Sequence, residues 1–154
     1  MTRPSGFTYI ELIIASFILA ILAAAIVPVA AVTAKRAKEV ELRRNLRTLR
    51  DAIDNYKQSV DLGLIGGTDV ELGSEGYPPD LETLVEGVNQ VGALDKKLKF
   101  LRRVPIDPMM HTTEWGFRSY QDEPESRFWG GQNVYDVFTT SNETALDGTS
   151  YRDW

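Results

Sequence analysis

Gly6-Phe7-Thr8-Tyr9-Ile10-Glu11-Leu12 opens an apolar stretch that reaches Val32. No charged residue falls between Leu12 and Ala34. A run of about 18 or more uncharged apolar residues can cross a bilayer as one helix. Glu11 is the exception at its entrance. A carboxylate inside such a segment costs roughly 2–4 kcal/mol on insertion scales, so it marks a function with a partner. An acid in the first turn also gains from the helix dipole.

Pro28 interrupts the run. An interior proline removes one backbone hydrogen bond and clashes with the preceding turn. The expectation is a bent or locally melted helix from Ile26 to Ala30. Beyond Ala34 the helix changes character. Leu42, Leu46, Leu49, Ile53, Tyr56 and Val60 recur at alternating steps of four and three, one apolar stripe on a water-facing helix. Glu39 and Arg43, Arg47 and Asp51, and Arg50 and Asp54 stand four apart and are expected to pair along the helix. Lys35, Arg36, Lys38, Arg43, Arg44, Arg47 and Arg50 form a basic block.

The helix should stop before Gly63, where a glycine-rich loop begins. Asp80 reads as the N-cap of a short helix with Leu81, Leu84 and Val85 turned inward and Gly87 as its stop. A second short helix is expected over Leu94–Leu101. Arg103 to Pro108 reads as extended or turning, because a residue before proline avoids helix. Trp115–Tyr120 and Val134–Phe138 have strand composition, joined by a long connection over Gln121–Asn133. Tyr151 and Trp154 should pin the polar tail onto the head. The expected fold class is α+β: a long N-terminal helix packed on a small antiparallel sheet of about three strands.

The totals narrow the function. The chain has 154 residues, a formal charge of −5, one histidine and no cysteine. An acidic balance argues against nucleic acid held by counterion release. A lone His111 rules out a histidine-rich metal site. Asp80 and Glu82, and Asp122, Glu123 and Glu125, lie in caps and turns with no nucleophile or base pattern nearby, so no enzyme is expected.

Gly6-Phe7-Thr8-Tyr9-Ile10-Glu11-Leu12, followed by an apolar helix holding Pro28, resembles the class III signal of type IV pilins and pseudopilins. Asp51–Lys57, Tyr77-Pro78, Arg103-Val104-Pro105-Ile106-Asp107-Pro108, Trp115-Gly116 and Tyr135-Asp136-Val137-Phe138 are similar to the major pseudopilin of type II secretion. The resemblance implies a leader over 1–6, a transmembrane and filament-core helix over 7–34, and a head over 35–154. It implies that a prepilin peptidase cuts after Gly6 and methylates the Phe7 amine. Glu11 would then pair with the Phe7 amine of a neighbour, and Pro28 would ease packing in the fibre. The implied partners are a homopolymer, minor pseudopilins and an inner-membrane assembly platform with its ATPase. The implied location is the bacterial inner membrane, with the N-terminus cytoplasmic and the head periplasmic. Positive-inside counting would put the basic block in the cytoplasm instead. The leader decides for the opposite orientation, since its cut site must face the cytoplasm in this family.

The family also implies a calcium loop. Asp147, Asp153, Glu143 and Ser141 are the candidate ligands, with Asp147-Gly148 central and Asp136, Asn142 and Thr149 as further oxygens. The sequence departs from the family here: the ending only loosely resembles that acidic loop, and the loop before Tyr77 and the insert between Pro108 and Trp115 are long. A type IV pilin for adhesion, motility or DNA uptake is the alternative. A weaker one is an exported soluble protein with an ordinary signal peptide, cut near Ala25 or Ala31.

Overall fold

The computed structural model describes residues 6–67, 70–93 and 96–154. Residues 1–5 of the expected leader lie outside that set, as do Leu94 and Asp95 of the expected second short helix. The chain divides into two compact units, Met1–Ala37 and Lys38–Trp154.

Helix α1 spans Tyr9–Asp61. In the first unit its large apolar residues all face outward: Phe17 and Leu19 are each 66% exposed and Val27 is 67% exposed. The backbone stays helical across Pro28, so the expected local melting between Ile26 and Ala30 is corrected. Proline forfeits only its own bond, to the Ala24 carbonyl. Uninterrupted apolar turns on both sides hold the rest of the ladder.

In the second unit the predicted stripe is the spine of the core. Leu42, Leu46, Leu49, Ala52, Ile53 and Tyr56 are all buried. They share one cluster with Leu81, Leu84, Trp115, Val134, Val137 and Tyr151. The helix ends where Gly63 takes φ +69°. There Gly63 N–H donates to the Val60 carbonyl and Leu64 N–H to that of Ser59, each at 2.9 Å. This is the Schellman pattern, which needs a left-handed residue and so favours glycine.

Helix α2, Leu81–Glu86, begins as read: the Asp80 carboxylate accepts from Thr83 N–H at 2.7 Å, and Gly87 caps the end. Strand β1 (Val88–Asn89) then pairs antiparallel with β2 (Lys97–Leu98). The pairing replaces the expected second helix over the described part of Leu94–Leu101. The segment is fixed by tertiary bonds: Phe100 and Leu101 N–H both donate to the Leu84 carbonyl at 2.9 Å. Phe100 also meets Tyr56 edge-on, centroids 5.5 Å apart.

Strands β3 (Gly116–Arg118) and β4 (Asp136–Phe138) form a second antiparallel pair, with Phe117 opposite Val137. The fold is therefore α+β, with two separate two-stranded sheets in place of one sheet of three. Gly116 is required in β3: a Cβ there would lie 2.4 Å from the Phe138 ring. The long connection between β3 and β4 is built by side chains. Asp122 accepts from Ser119 N–H at 2.7 Å and Gly130 N–H at 3.0 Å. Buried Asn133 bonds Tyr120 N–H and the Gln121 amide at 3.0 Å each.

Candidate functional site

The N-terminal segment is built from four residues and a helix face. Gly6 lies in exposed coil, and among the described residues no atom stands within 4 Å of where a Cβ would be. Neither space nor a left-handed backbone demands glycine there, so the fold itself does not account for it. Phe7 follows at 82% exposure. Thr8 then caps α1. Its hydroxyl accepts from Glu11 N–H at 3.3 Å, and the Glu11 carboxylate reaches back to Thr8 N–H at 3.5 Å. This is a reciprocal capping box. The Thr8-x-x-Glu11 spacing was its legible signal, and the reading of Glu11 as a lone charge passed over Thr8. The box holds the Glu11 carboxylate at the end of the helix, one residue from the amine that a cut after Gly6 would free.

From Leu12 to Val32 the large apolar side chains of the helix are all exposed. The helix is long and apolar enough to cross a membrane, and none of its most apolar window is buried in the chain. Residues 1–27 match the prokaryotic N-terminal methylation motif. No curated protein and no solved structure matches the chain. The motif supports a type IV pilin-like protein, membrane-anchored, processed by prepilin peptidase and assembled into filaments. Gly6, Phe7 and Glu11 all lie inside it, and Pro28 falls one residue beyond.

The structure does not gather the calcium candidates. Among the described residues no three or more His, Cys, Asp or Glu side chains converge. Both oxygens of Asp147 are engaged. Oδ1 accepts from the Thr149 hydroxyl at 2.6 Å and from Thr149 N–H at 2.9 Å, while Arg43 stands 3.5 Å from Oδ2. The Thr149 hydroxyl, then its N–H, and then the Arg43 charge hold this carboxyl below the usual carboxylate range. Ser141 is buried, its hydroxyl accepting from Glu143 N–H at 3.3 Å. Asp153 lies in a short 3-10 turn, Tyr151–Asp153, beside a cleft lined by Arg118, Arg127 and Arg152. Calcium takes six to eight oxygen ligands. As arranged, Asp147, Asp153, Glu143 and Ser141 do not fit it.

Instead, α1 side chains hold the tail. Glu39 accepts from the Tyr151 hydroxyl at 2.9 Å and from Leu146 N–H at 2.8 Å. Burial first, and then the bond to Glu39, push the Tyr151 hydroxyl up to about 12. Arg43 lies 4.0 Å over the Trp154 ring. Arg50 donates to Asp136 at 2.7 Å, to the Trp154 carbonyl at 2.7 Å and to the Val137 carbonyl at 3.2 Å. Asp136 also accepts from Arg118 at 3.1 Å. The pairings expected along the helix for Glu39, Arg43 and Arg50 are thus corrected: these side chains reach across to the head. Contacts distant in sequence outcompete a neighbour four residues away, whose pairing is worth only ~0.2–0.5 kcal/mol. The structure does show an ion pair four apart on α1, between Lys57 and Asp61.

Two of the acids in the close pairs of the sequence have structural work. Asp80 caps α2 and Asp122 closes its loop. Asp107, in the Arg103–Pro108 segment, is fully buried. It accepts from the Thr139 hydroxyl and from Met109 N–H, the latter at 2.8 Å, tying the proline-rich segment to the end of β4.

Proposed function

We propose that this chain is a pseudopilin: a non-enzymatic subunit, cut after Gly6 and methylated on Phe7, that polymerises into a periplasmic filament for type II-like secretion. The match of residues 1–27 to the methylation motif carries the processed, pilin-like part of the reading; the secretion role rests on the motifs of the head. Two facts support it. Among the described residues nothing demands glycine at position 6, so a peptidase that needs an unhindered extended chain accounts for it. The helix beyond is clothed in apolar side chains that must be covered by lipid or by other subunits. Glu11 is costly in lipid alone; pairing with a freed Phe7 amine in a fibre offsets that cost.

N-terminal mass analysis of the protein from its native membrane tests the processing. The expected mature chain starts at N-methylated Phe7. A start near Ala25 or Ala31 would overturn the reading in favour of an ordinary signal peptide. Deletion then separates secretion from pilus function: secretion should fail, whereas intact secretion with loss of a retractile surface fibre identifies a type IV pilin. Glu11→Ala is expected to insert and be processed yet stay out of filaments. A normal filament yield from that variant would refute the assembly role.

A further inference from the structure

Charge on this chain is segregated. Residues 38–50 hold five basic and two acidic side chains, whereas residues 51–154 hold nine basic and nineteen acidic. On the basic stretch of α1 lies a groove of about 520 Å³, lined by Arg43, Leu46, Arg47, Arg50, Asp51 and Trp154. Arg50 is committed to Asp136 and two carbonyls. Arg43 is spread over the Trp154 ring. Arg47 is exposed and, among the described residues, has no partner. The groove thus offers one unused guanidinium between two fixed ones, beside an indole.

The complementary surface is on the head. The loop over 119–133 exposes Glu123, whose carboxylate has no partner among the described residues, and Phe128, 87% exposed. Glu125 instead lines a cleft with Arg118, Arg127 and Arg152 of its own chain. Asp122, Asn133 and the Trp129 indole, which donates to the Asn133 carbonyl at 2.8 Å, hold the loop in shape. A preformed loop loses little entropy on docking. Its acid and ring match an arginine and an indole.

We infer that the Arg43–Arg47–Arg50–Trp154 groove receives the 119–133 loop of a second copy of this chain, with Glu123 paired to Arg47. The inference rests on the filament reading, because a filament supplies that second copy at high local concentration.

The chain contains no cysteine, so Asp51→Cys gives one labelling position at the groove's edge and leaves its three arginines in place. The full-length protein, in its membrane, is labelled with a benzophenone maleimide and irradiated. A dimer whose peptide map joins position 51 to 119–133 is expected. Arg47→Glu or Glu123→Arg in this background should each lower its yield about tenfold, since like charges across a contact repel strongly. The two together should restore it, as coupled partners do in a double-mutant cycle. Adducts to phospholipid, or to another part of the second copy, overturn the docking, as do singles whose effects simply add. The two failures separate. A mature Phe7 terminus and intact filaments with such a map sink the docking alone. An uncut chain without filaments sinks the filament reading whatever the map.

Discussion

Helix α1 serves two environments within one run of residues. In the unit Met1–Ala37 its large apolar side chains are exposed all round, with Val29 and Phe17 each at 66%. In the unit Lys38–Trp154 the apolar residues of the same helix are sorted: Leu42, Leu49 and Ile53 are fully buried, while Arg44 and Arg47 face out. A helix apolar on every face is made for lipid or for a fibre core; a helix apolar on one stripe is made for its own domain. The difference separates two kinds of energy. The first unit's apolar surface gains nothing until another phase or another subunit covers it. The second unit's surface is already spent on folding. Substitutions should therefore divide into those that unfold the head and those that only affect anchoring and assembly.

The sharpest way to break that division is to cut the same kind of side chain on either side. Ile53→Ala should destabilise the head by about 2–5 kcal/mol, the range for deleting a large aliphatic group from a packed core. Leu19→Ala, at a 66% exposed position, should leave the head unchanged. Near-UV circular dichroism of the full chain in detergent checks both, because Trp115, Trp129 and Trp154 all lie in the head and report only its packing. Equal melting losses from the two variants would collapse the distinction.

A smaller effect tests how the helix grips the tail. Arg50→Ala removes bonds to Asp136 and to the Val137 and Trp154 carbonyls. The side chain is 38% exposed, so solvent screens part of the interaction. A loss of roughly 1.5–3 kcal/mol is expected, the scale of hydrogen bonds to charged groups. Arg44→Ala, at an exposed position earlier on the same helix, should fall within about 0.5 kcal/mol of the parent. Chemical denaturation followed by tryptophan fluorescence gives both numbers. A silent Arg50→Ala would mean the tail is held by the Glu39 and Arg43 contacts and the buried Tyr151 ring without help from Arg50.

What the sequence made legible follows the range of each interaction. The leader pattern, the stripe from Leu42 to Tyr56, the stop before Gly63 and the Asp80 cap all depend on residues within a few positions, and all can be read along the chain. The tail rings were legible as well, since Tyr151 and Trp154 have no reason to sit on a free end. The β1–β2 pair was not. Strands β1 and β2 hold two residues each, too few for an alternating pattern to announce the pairing of Val88 with Leu98. The same holds for Glu39, Arg43 and Arg50, whose nearest opposite charges in sequence were the wrong partners. In the candidate site Gly6, Phe7 and Glu11 can be proposed from the chain alone because they lie in a linear motif. Thr8 was readable and missed. For the calcium candidates the chain offers only a loose likeness and a count of oxygens, and neither tells which way a side chain turns: Asp147 faces Thr149 and Arg43.

The smallest expected effect probes one bond between the helix and the tail. Tyr151→Phe keeps the buried ring against Trp154 and deletes only the hydroxyl that donates to Glu39. At pH 7 the loss should be about 1 kcal/mol, the net worth of one hydrogen bond. Glu39 keeps its bond from Leu146 N–H, which limits the cost. Alkaline pH gives a second readout with a definite sign. Folding raises the Tyr151 pKa from 10.0 to about 12. Below pH 10 the hydroxyl is protonated in both states and its stabilisation is complete. Between pH 10 and 12 the unfolded chain releases the proton while the folded head retains it, so stability falls as pH rises. Tyr77 and Lys57 are also raised and push the same way, so the variant flattens the decline without abolishing it. Parent and Tyr151→Phe denaturation curves should therefore converge between pH 10 and 12. A gap that stays constant across that range would show that the hydroxyl is not shielded by the head, and that the tail opens before the core does.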